Sequence, residues 1–129
     1  MWQMKRVIPQ ETVELENLIN NLPLNDSSPT KPYASLVLNC SVATKPHRDT
    51  GDFSCCLVVP FGEWQGGMLI LYEPGLILIL EDGQPCWFNS RKITHFNADM
   101  KGIRGSLVFH TDYGLQGWEK NRYDQDVVI

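Results

Sequence analysis

Short apolar segments separated by turn residues fill the chain from residue 34 to residue 111, and this pattern restricts the possible folds more than any other feature. Each segment is too short for a helix of ordinary length, and a Gly, Pro, Asn or Asp follows it within four residues. Many short strands of this kind favour an antiparallel sandwich or a jelly roll. The predicted strands are Ala34–Val42, Cys55–Phe61, Met68–Tyr72, Gly75–Leu80, Pro85–Phe88, Ile93–Asn97 and Ile103–Thr111.

The N-terminal part has a different period, because apolar residues recur at helical spacing from about Gln10 to Leu22. Pro9 suits the first turn of this helix, and a turn-rich linker runs from Asn25 to Pro32. A chain of 129 residues is the size of one domain. We divide it into an N-terminal helix and linker (1–33), a jelly-roll core (34–112) and a C-terminal tail (113–129). The tail ends in Val127-Val128-Ile129, which form an edge strand or fray.

The net charge of −4 argues against a protein that grips nucleic acid over a wide surface. A local basic patch stays open. Its candidate residues are Lys45, Arg48, Arg91, Lys92, Lys101 and Arg104.

The four cysteines contain no C-x-x-C pair, which argues against a zinc site. Met1 to Arg6 lead into a polar amphipathic segment and not into the apolar core of a signal peptide, so we expect reduced thiols in the cytosol or the nucleus. The longest uninterrupted apolar runs are five residues, as in Leu76 to Leu80, which is too short to cross a membrane. We expect no membrane contact, and we expect the protein to be a monomer.

The motif Lys45-Pro46-His47-Arg48-Asp49 lies between two of the apolar segments. In an extended segment His47 and Asp49 point to the same side, because side chains alternate with a period of two. An imidazole and a carboxylate are two of the three ligands in the 2-His-1-carboxylate triad that holds non-haem Fe(II). Taken alone, the motif also fits a solvated turn.

A third ligand has to come from His95 or His110, the two remaining histidines. Nine residues after His95 comes Arg104, and Ser106 shares its strand face. A guanidinium binds a carboxylate through two parallel hydrogen bonds, and a hydroxyl can add another. Arg104 and Ser106 thus suit the distal carboxylate of a dicarboxylate such as 2-oxoglutarate. His110 lacks a similar pair after it, so we prefer His95 and interpret His110 as a hydrogen-bonded barrel residue.

The chain thus has the order His-x-Asp (His47, Asp49), a later His (His95) and then Arg-x-Ser (Arg104, Ser106). This order resembles that of the Fe(II)/2-oxoglutarate-dependent dioxygenases. Within that superfamily the chain looks most similar to the TET/JBP-type nucleic-acid base oxygenases. The resemblance covers roughly residues 35–112. The segments that carry it are Pro46-His47-Arg48-Asp49, Leu57 to Gly62, the Gly66-Gly67 turn with the strand after it, and Thr94-His95-Phe96-Asn97.

The resemblance implies a mainly β fold with an N-terminal helix, namely a double-stranded β-helix of the cupin-like jelly-roll type. It implies His47, Asp49 and His95 as catalytic iron ligands, with Arg104 and Ser106 binding 2-oxoglutarate. The implied reaction consumes O2 and 2-oxoglutarate and hydroxylates a C–H bond, while succinate and carbon dioxide form. The implied substrate is the methyl group of a modified nucleobase such as 5-methylcytosine, in methylated DNA or RNA.

Three further residues are candidates for contacts in such a site. Asn39 is a candidate 2-oxoglutarate contact, although its amide also suits backbone hydrogen bonds. Arg48 and Trp64 are candidate substrate contacts, although an aromatic residue such as Trp64 is more often a core residue in a small sandwich. Two other functions stay open: a 2-oxoglutarate-dependent hydroxylase of a protein or small molecule, and a metal-free jelly-roll binding module.

Overall fold

The structure, a computed structural model, describes residues 2–22, 29–40 and 43–115. Within these residues the chain forms two helices and seven strands. They are α1 (Trp2–Val7), α2 (Pro9–Asn20), β1 (Ser35–Cys40), β2 (Cys56–Gly66), β3 (Leu69–Leu71), β4 (Leu76–Leu78), β5 (Cys86–Phe88), β6 (His95–Asn97) and β7 (Met100–His110). Much of the predicted linker, the end of the predicted first strand and the predicted tail beyond Leu115, with its Val127-Val128-Ile129 segment, lie outside the described residues.

The strands pair antiparallel in two sheets. The larger sheet has the order β1-β7-β2-β5, and the smaller sheet has the order β4-β3-β6. Cys56 and Phe88 of the larger sheet pack against Leu69 and Leu71 of the smaller one, which joins the two sheets in one core. The prediction of a mainly β fold with an N-terminal helix and a jelly-roll, double-stranded β-helix architecture is confirmed.

The period of two along β2 decides which side chains enter this core. Cys56 and Val58 face the smaller sheet. Leu57, between them, faces the opposite side together with its cross-strand neighbours Trp87 and Phe109. The larger sheet is therefore apolar on both faces, and its outer face needs a cover.

The two helices provide that cover. The predicted helix is α2, and Pro9 lies at its start, where a missing N–H costs no hydrogen bond. The sequence did not predict α1, since of residues 3–7 only Met4 is buried and six residues carry little periodic signal. Met4, Leu15 and Tyr33 form the core between the helices and the sheet. No helix in the described ranges is both long and apolar enough to cross a membrane.

Two glycines inside the strands allow β2 and β7 to approach closely. Gly62 and Gly102 have φ values of 126° and 113°. A Cβ at Gly62 would lie 2.3 Å from the carbonyl oxygen of Ile103, and one at Gly102 would lie 2.4 Å from that of Glu63. The predicted strand Cys55–Phe61 ends too early, because the pairing of β2 with β7 continues through Gly62 to Gly66. Here glycine marks a close backbone contact and not a strand end.

The cysteines differ in accessibility, which gives a test of the core. Cys55 and Cys56 are buried, whereas Cys40 is exposed on β1. Burial raises the pKa of Cys55 to about 11 and that of Cys56 to about 12, so little reactive thiolate exists at mildly alkaline pH. We expect iodoacetamide to modify Cys40 in the folded protein and to modify Cys55 and Cys56 only in urea, as read by peptide mass spectrometry. Rapid modification of Cys56 without urea would contradict the packing of the two sheets.

Candidate metal centre

The segment between β1 and β2 carries His47 and Asp49 to the side of β6. The backbone N–H of His47 donates to the carbonyl of His95 at 3.1 Å, and the N–H of His95 donates back to His47 at 2.9 Å. The N–H of Asp49 donates to the carbonyl of Ser90 at 2.9 Å. These bonds bring three side chains together, and one possible ligand atom from each lies within 4.8 Å of the other two.

Both imidazoles are oriented by backbone carbonyls two residues earlier. Nδ1 of His47 lies 2.7 Å from the carbonyl oxygen of Lys45, and Nδ1 of His95 lies 2.8 Å from that of Ile93. A carbonyl can only accept, so each Nδ1 carries the proton and, in the neutral ring, each Nε2 has a free lone pair. The two Nε2 atoms lie 3.6 Å and 3.2 Å from oxygens of the Asp49 carboxylate.

Asp49 and His95 shift each other's pKa values. When the His95 ring is protonated, its Nε2 donates a hydrogen bond to Asp49, and this bond holds the pKa of Asp49 below its usual value, although partial burial opposes this. Burial lowers the pKa of His95, but the Asp49 hydrogen bond, the Ile93 carbonyl and the nearby carboxylates outweigh burial and raise the pKa. The site thus favours positive charge beside Asp49.

The donor atoms fit a divalent metal. Two imidazole lone pairs and one carboxylate are the ligand set of the 2-His-1-carboxylate triad. With neutral rings, all three atoms are electron-pair donors facing one another, and a cation between them removes their repulsion. Hydrogen bonding of Nδ1 to a carbonyl is also the usual way in which a ligating histidine is fixed. The side chains of His47 and Asp49 are each 42% exposed, which leaves one side of the group accessible.

A cavity of about 320 Å³ between the two sheets adjoins the group. This volume is near the lower end of the range for small-molecule sites, about 300 to 1,000 Å³. The ring of Phe88 contacts that of His95 edge-on, with centroids 4.8 Å apart, and presents an apolar wall. Val58, Leu69 and Val108 extend this wall.

A polar region of the same cavity comes from β7 and β1. Arg104 and Ser106 both line the cavity, as expected for alternate residues of a strand. Asn39 lies directly opposite Ser106 in the β1–β7 pair and lines the cavity too. The Arg104 side chain is only 6% exposed, and its Nη1 donates to the carbonyl of Gly67 at 2.6 Å. Burial lowers the pKa of Arg104, yet a guanidinium stays protonated in proteins.

The Gly66-Gly67 turn makes room for this guanidinium. Gly67 has a φ of 64°, and a Cβ there would lie 2.2 Å from Nη1 and 3.0 Å from Cζ of Arg104. The Trp64 ring lies near the same guanidinium, with Arg104 Cζ 5.9 Å from the ring centroid. The hydrogen bond to the Gly67 carbonyl holds the Arg104 charge in this position.

The remaining predicted residues lie elsewhere. Arg48 and Trp64, the candidate substrate contacts, are not among the described residues that line the cavity. Arg48 instead donates through Nε to the hydroxyl of Thr94 at 3.1 Å.

His110, the alternative third ligand, lies outside the group of ligand atoms. Its Nδ1 is 3.7 Å from Oδ1 of Asp52.

Sequence reasoning did not single out three residues around the site. Thr44 and Asn97 line the cavity, and the N–H of Asn97 donates to the Thr44 hydroxyl at 2.9 Å. The period of two from His95 was a signal for Asn97, which follows it by two residues. Glu73 accepts a hydrogen bond from the N–H of Thr94. No sequence pattern connects a glutamate in a turn with a residue so far along the chain.

Comparisons with known proteins agree with this architecture. No protein-family model and no curated protein matches the sequence. Among solved structures, NgTET1 in complex with 5mC DNA matches with a TM-score of 0.69 and 22% sequence identity. The match covers 78% of this chain and 42% of the NgTET1 chain, so this chain spans less than half of that protein's length. The chain therefore has a TET-like fold that brings together a His-Asp-His group able to hold a metal ion.

Proposed function

We propose that this chain is an Fe(II)- and 2-oxoglutarate-dependent dioxygenase that oxidises the methyl group of a modified nucleobase such as 5-methylcytosine. One observation carries the proposal. The Nε2 atoms of His47 and His95 and the carboxylate of Asp49 converge at a cavity that also contains the buried guanidinium of Arg104. A metal site and a buried cation in one small cavity suit a dicarboxylate that reaches both.

In this proposal His47, Asp49 and His95 hold Fe(II). Bound iron supplies the activation of O2 that couples decarboxylation of 2-oxoglutarate to oxidation of a C–H bond. The carbonyls of Lys45 and Ile93 keep both rings in the tautomer that presents Nε2.

Arg104 binds the distal carboxylate of 2-oxoglutarate, with Ser106 and Asn39 as further hydrogen-bonding groups. A guanidinium pairs with a carboxylate through two parallel charge-assisted bonds. The pair is stronger here than on the surface, because Arg104 is buried and the effective dielectric constant is lower. The carbonyl of Gly67 fixes one guanidinium nitrogen, which reduces the ordering that binding requires.

A nucleobase substrate is supported by the likeness to NgTET1, which was solved in complex with 5mC DNA. The net charge of −4 suggests that this chain contacts a phosphate backbone only locally. We therefore propose methylated DNA or RNA as the substrate, bound through a small number of contacts around the site.

The test loads the protein with Fe(II) and 2-oxoglutarate without oxygen and then admits air in the presence of methylated DNA, methylated RNA and a peptide mixture. We expect succinate together with oxidised 5-methylcytosine, detected by mass spectrometry, and neither product from Asp49→Ala. Succinate without an oxidised base would contradict the nucleobase substrate but would still support a 2-oxoglutarate-dependent dioxygenase. Oxidised peptide would support the protein hydroxylase, and the absence of succinate under all conditions would contradict the dioxygenase.

A further inference from the structure

Arg48 lies between two ligand residues in the sequence but points away from them. The alternation that turns His47 and Asp49 towards the cavity turns Arg48 outwards. His47 and His95 form an antiparallel bridge. In antiparallel pairing the residue after His47 lies across from the residue before His95, which places Arg48 beside Thr94. Arg48 uses this position to donate from Nε to the Thr94 hydroxyl at 3.1 Å.

Glu73, in the turn after β3, contacts both members of that pair. Its carboxylate accepts the N–H of Thr94, with Oε2 at 3.2 Å, and its Oε2 lies 3.8 Å from Nη2 of Arg48. The carbonyl of Thr94 accepts from the N–H of Tyr72 at 2.9 Å. The residue directly before His95 is thus held through its N–H, its carbonyl and its hydroxyl.

The backbone connection between the two ligand segments is short. The N–H of Thr44 donates to the carbonyl of Asn97 at 3.3 Å, the N–H of Asn97 donates to the Thr44 hydroxyl at 2.9 Å, and His47 and His95 exchange the two bonds already described. Beyond them, the N–H of Asp49 donates to the carbonyl of Ser90 before β6. A backbone bridge of this length opens easily unless neighbouring side-chain contacts also hold it, because only a small number of hydrogen bonds must break. Side-chain contacts next to the bridge therefore influence how the ligands are placed.

We infer that Arg48, Thr94 and Glu73 form a clasp that positions the metal ligands by tying the segment of His47 and Asp49 to the strand of His95. Arg48 is then a positioning residue and not a substrate contact. The inference rests on the proposed metal-dependent function. Exposed ion pairs contribute little to global stability, so the effect is local, on the spacing of the ligand atoms.

The test compares Arg48→Met, Thr94→Val and the double variant with Lys101→Met, a control at an exposed position of β7. One readout is the dissociation constant for Ni(II) or anaerobic Fe(II), by calorimetry. The other is the hydrogen-exchange rate of the His95 amide in metal-free protein, by NMR. We expect each single variant to weaken metal binding about 10-fold, the lower end of the 10- to 100-fold range for residues that orient ligands.

The double variant should bind metal no more weakly than the weaker-binding single variant, because both substitutions break the same contact. The His95 amide should exchange faster in all three, and Lys101→Met should match the wild type in both readouts. Wild-type metal affinity and wild-type amide exchange in Arg48→Met would overturn the clasp. Fully additive losses in the double variant would also overturn it. A wild type that binds no metal would overturn the proposed function, whereas the amide exchange of His95 would still decide the clasp.

Discussion

Asp49→Ala should abolish metal binding while the fold persists. Asp49 supplies the carboxylate of the three-residue group and lies within 3.6 Å of both Nε2 atoms. Its removal leaves two neutral imidazoles, which lack the negative charge that the group offers a cation. We expect the affinity for Ni(II) or anaerobic Fe(II) to fall by more than about 100-fold, since even changes outside the ligand set cost roughly 10- to 100-fold. Calorimetric titration measures this directly.

The fold should survive because the Asp49 side chain is 42% exposed and contributes little to the core. Thermal unfolding of metal-free Asp49→Ala should therefore resemble that of the wild type. Glu63→Ala is the matched control, because Glu63 is an exposed carboxylate on β2 outside the cavity lining. It should keep both metal affinity and stability. Unchanged Ni(II) affinity in a folded Asp49→Ala protein would contradict the ligand assignment.

Gly67→Ala should weaken 2-oxoglutarate binding almost as much as Arg104→Ala, without loss of metal binding. The new Cβ would lie 2.2 Å from Nη1 of Arg104, so the guanidinium has to move. A hydrogen bond to a charged group contributes about 1.5 to 3 kcal/mol, which corresponds to roughly a 10- to 150-fold weaker complex. Calorimetric titration with Ni(II) measures the metal affinity. Titration with 2-oxoglutarate in the presence of Ni(II) then measures the 2-oxoglutarate affinity.

Gly75→Ala controls for the backbone cost of this substitution. Gly75 has a φ of 69°, close to the 64° of Gly67, but a Cβ there meets nothing within 4 Å. Both variants place an L-residue in the left-handed region, at a cost of about 1 to 2 kcal/mol in stability. Only Gly67→Ala should lose 2-oxoglutarate affinity. Equal 2-oxoglutarate affinities in the two variants would contradict Arg104 as the carboxylate anchor.

The fold was predictable because its signal is local. Apolar segments punctuated by Gly and Pro mark each strand, and the helical spacing between Gln10 and Leu22 marks α2. What the sequence did not reveal depends on partners distant in the chain. Gly62 resembles a strand end until its close contact with Ile103 on β7 is seen.

In the candidate site, too, the features with a local sequence signal were predictable and the contacts between distant segments were not. The period of two placed His47 with Asp49 and Arg104 with Ser106 on common faces, and the structure brings these pairs to one cavity. The same rule turned Arg48 outwards, but only the three-dimensional contacts identify Thr94 and Glu73 as its partners. Side-chain contacts between distant turns have no period in the sequence.

The most direct test of the central claim is an anaerobic titration of the wild-type protein with 2-oxoglutarate, with and without Fe(II). In the proposed site, His47, Asp49 and His95 hold one metal, and one 2-oxoglutarate contacts both this metal and Arg104. We expect one equivalent of Fe(II) to bind, and one equivalent of 2-oxoglutarate to bind tightly only after the metal. A protein that binds no Fe(II), or one that binds 2-oxoglutarate equally well without the metal, would contradict the account.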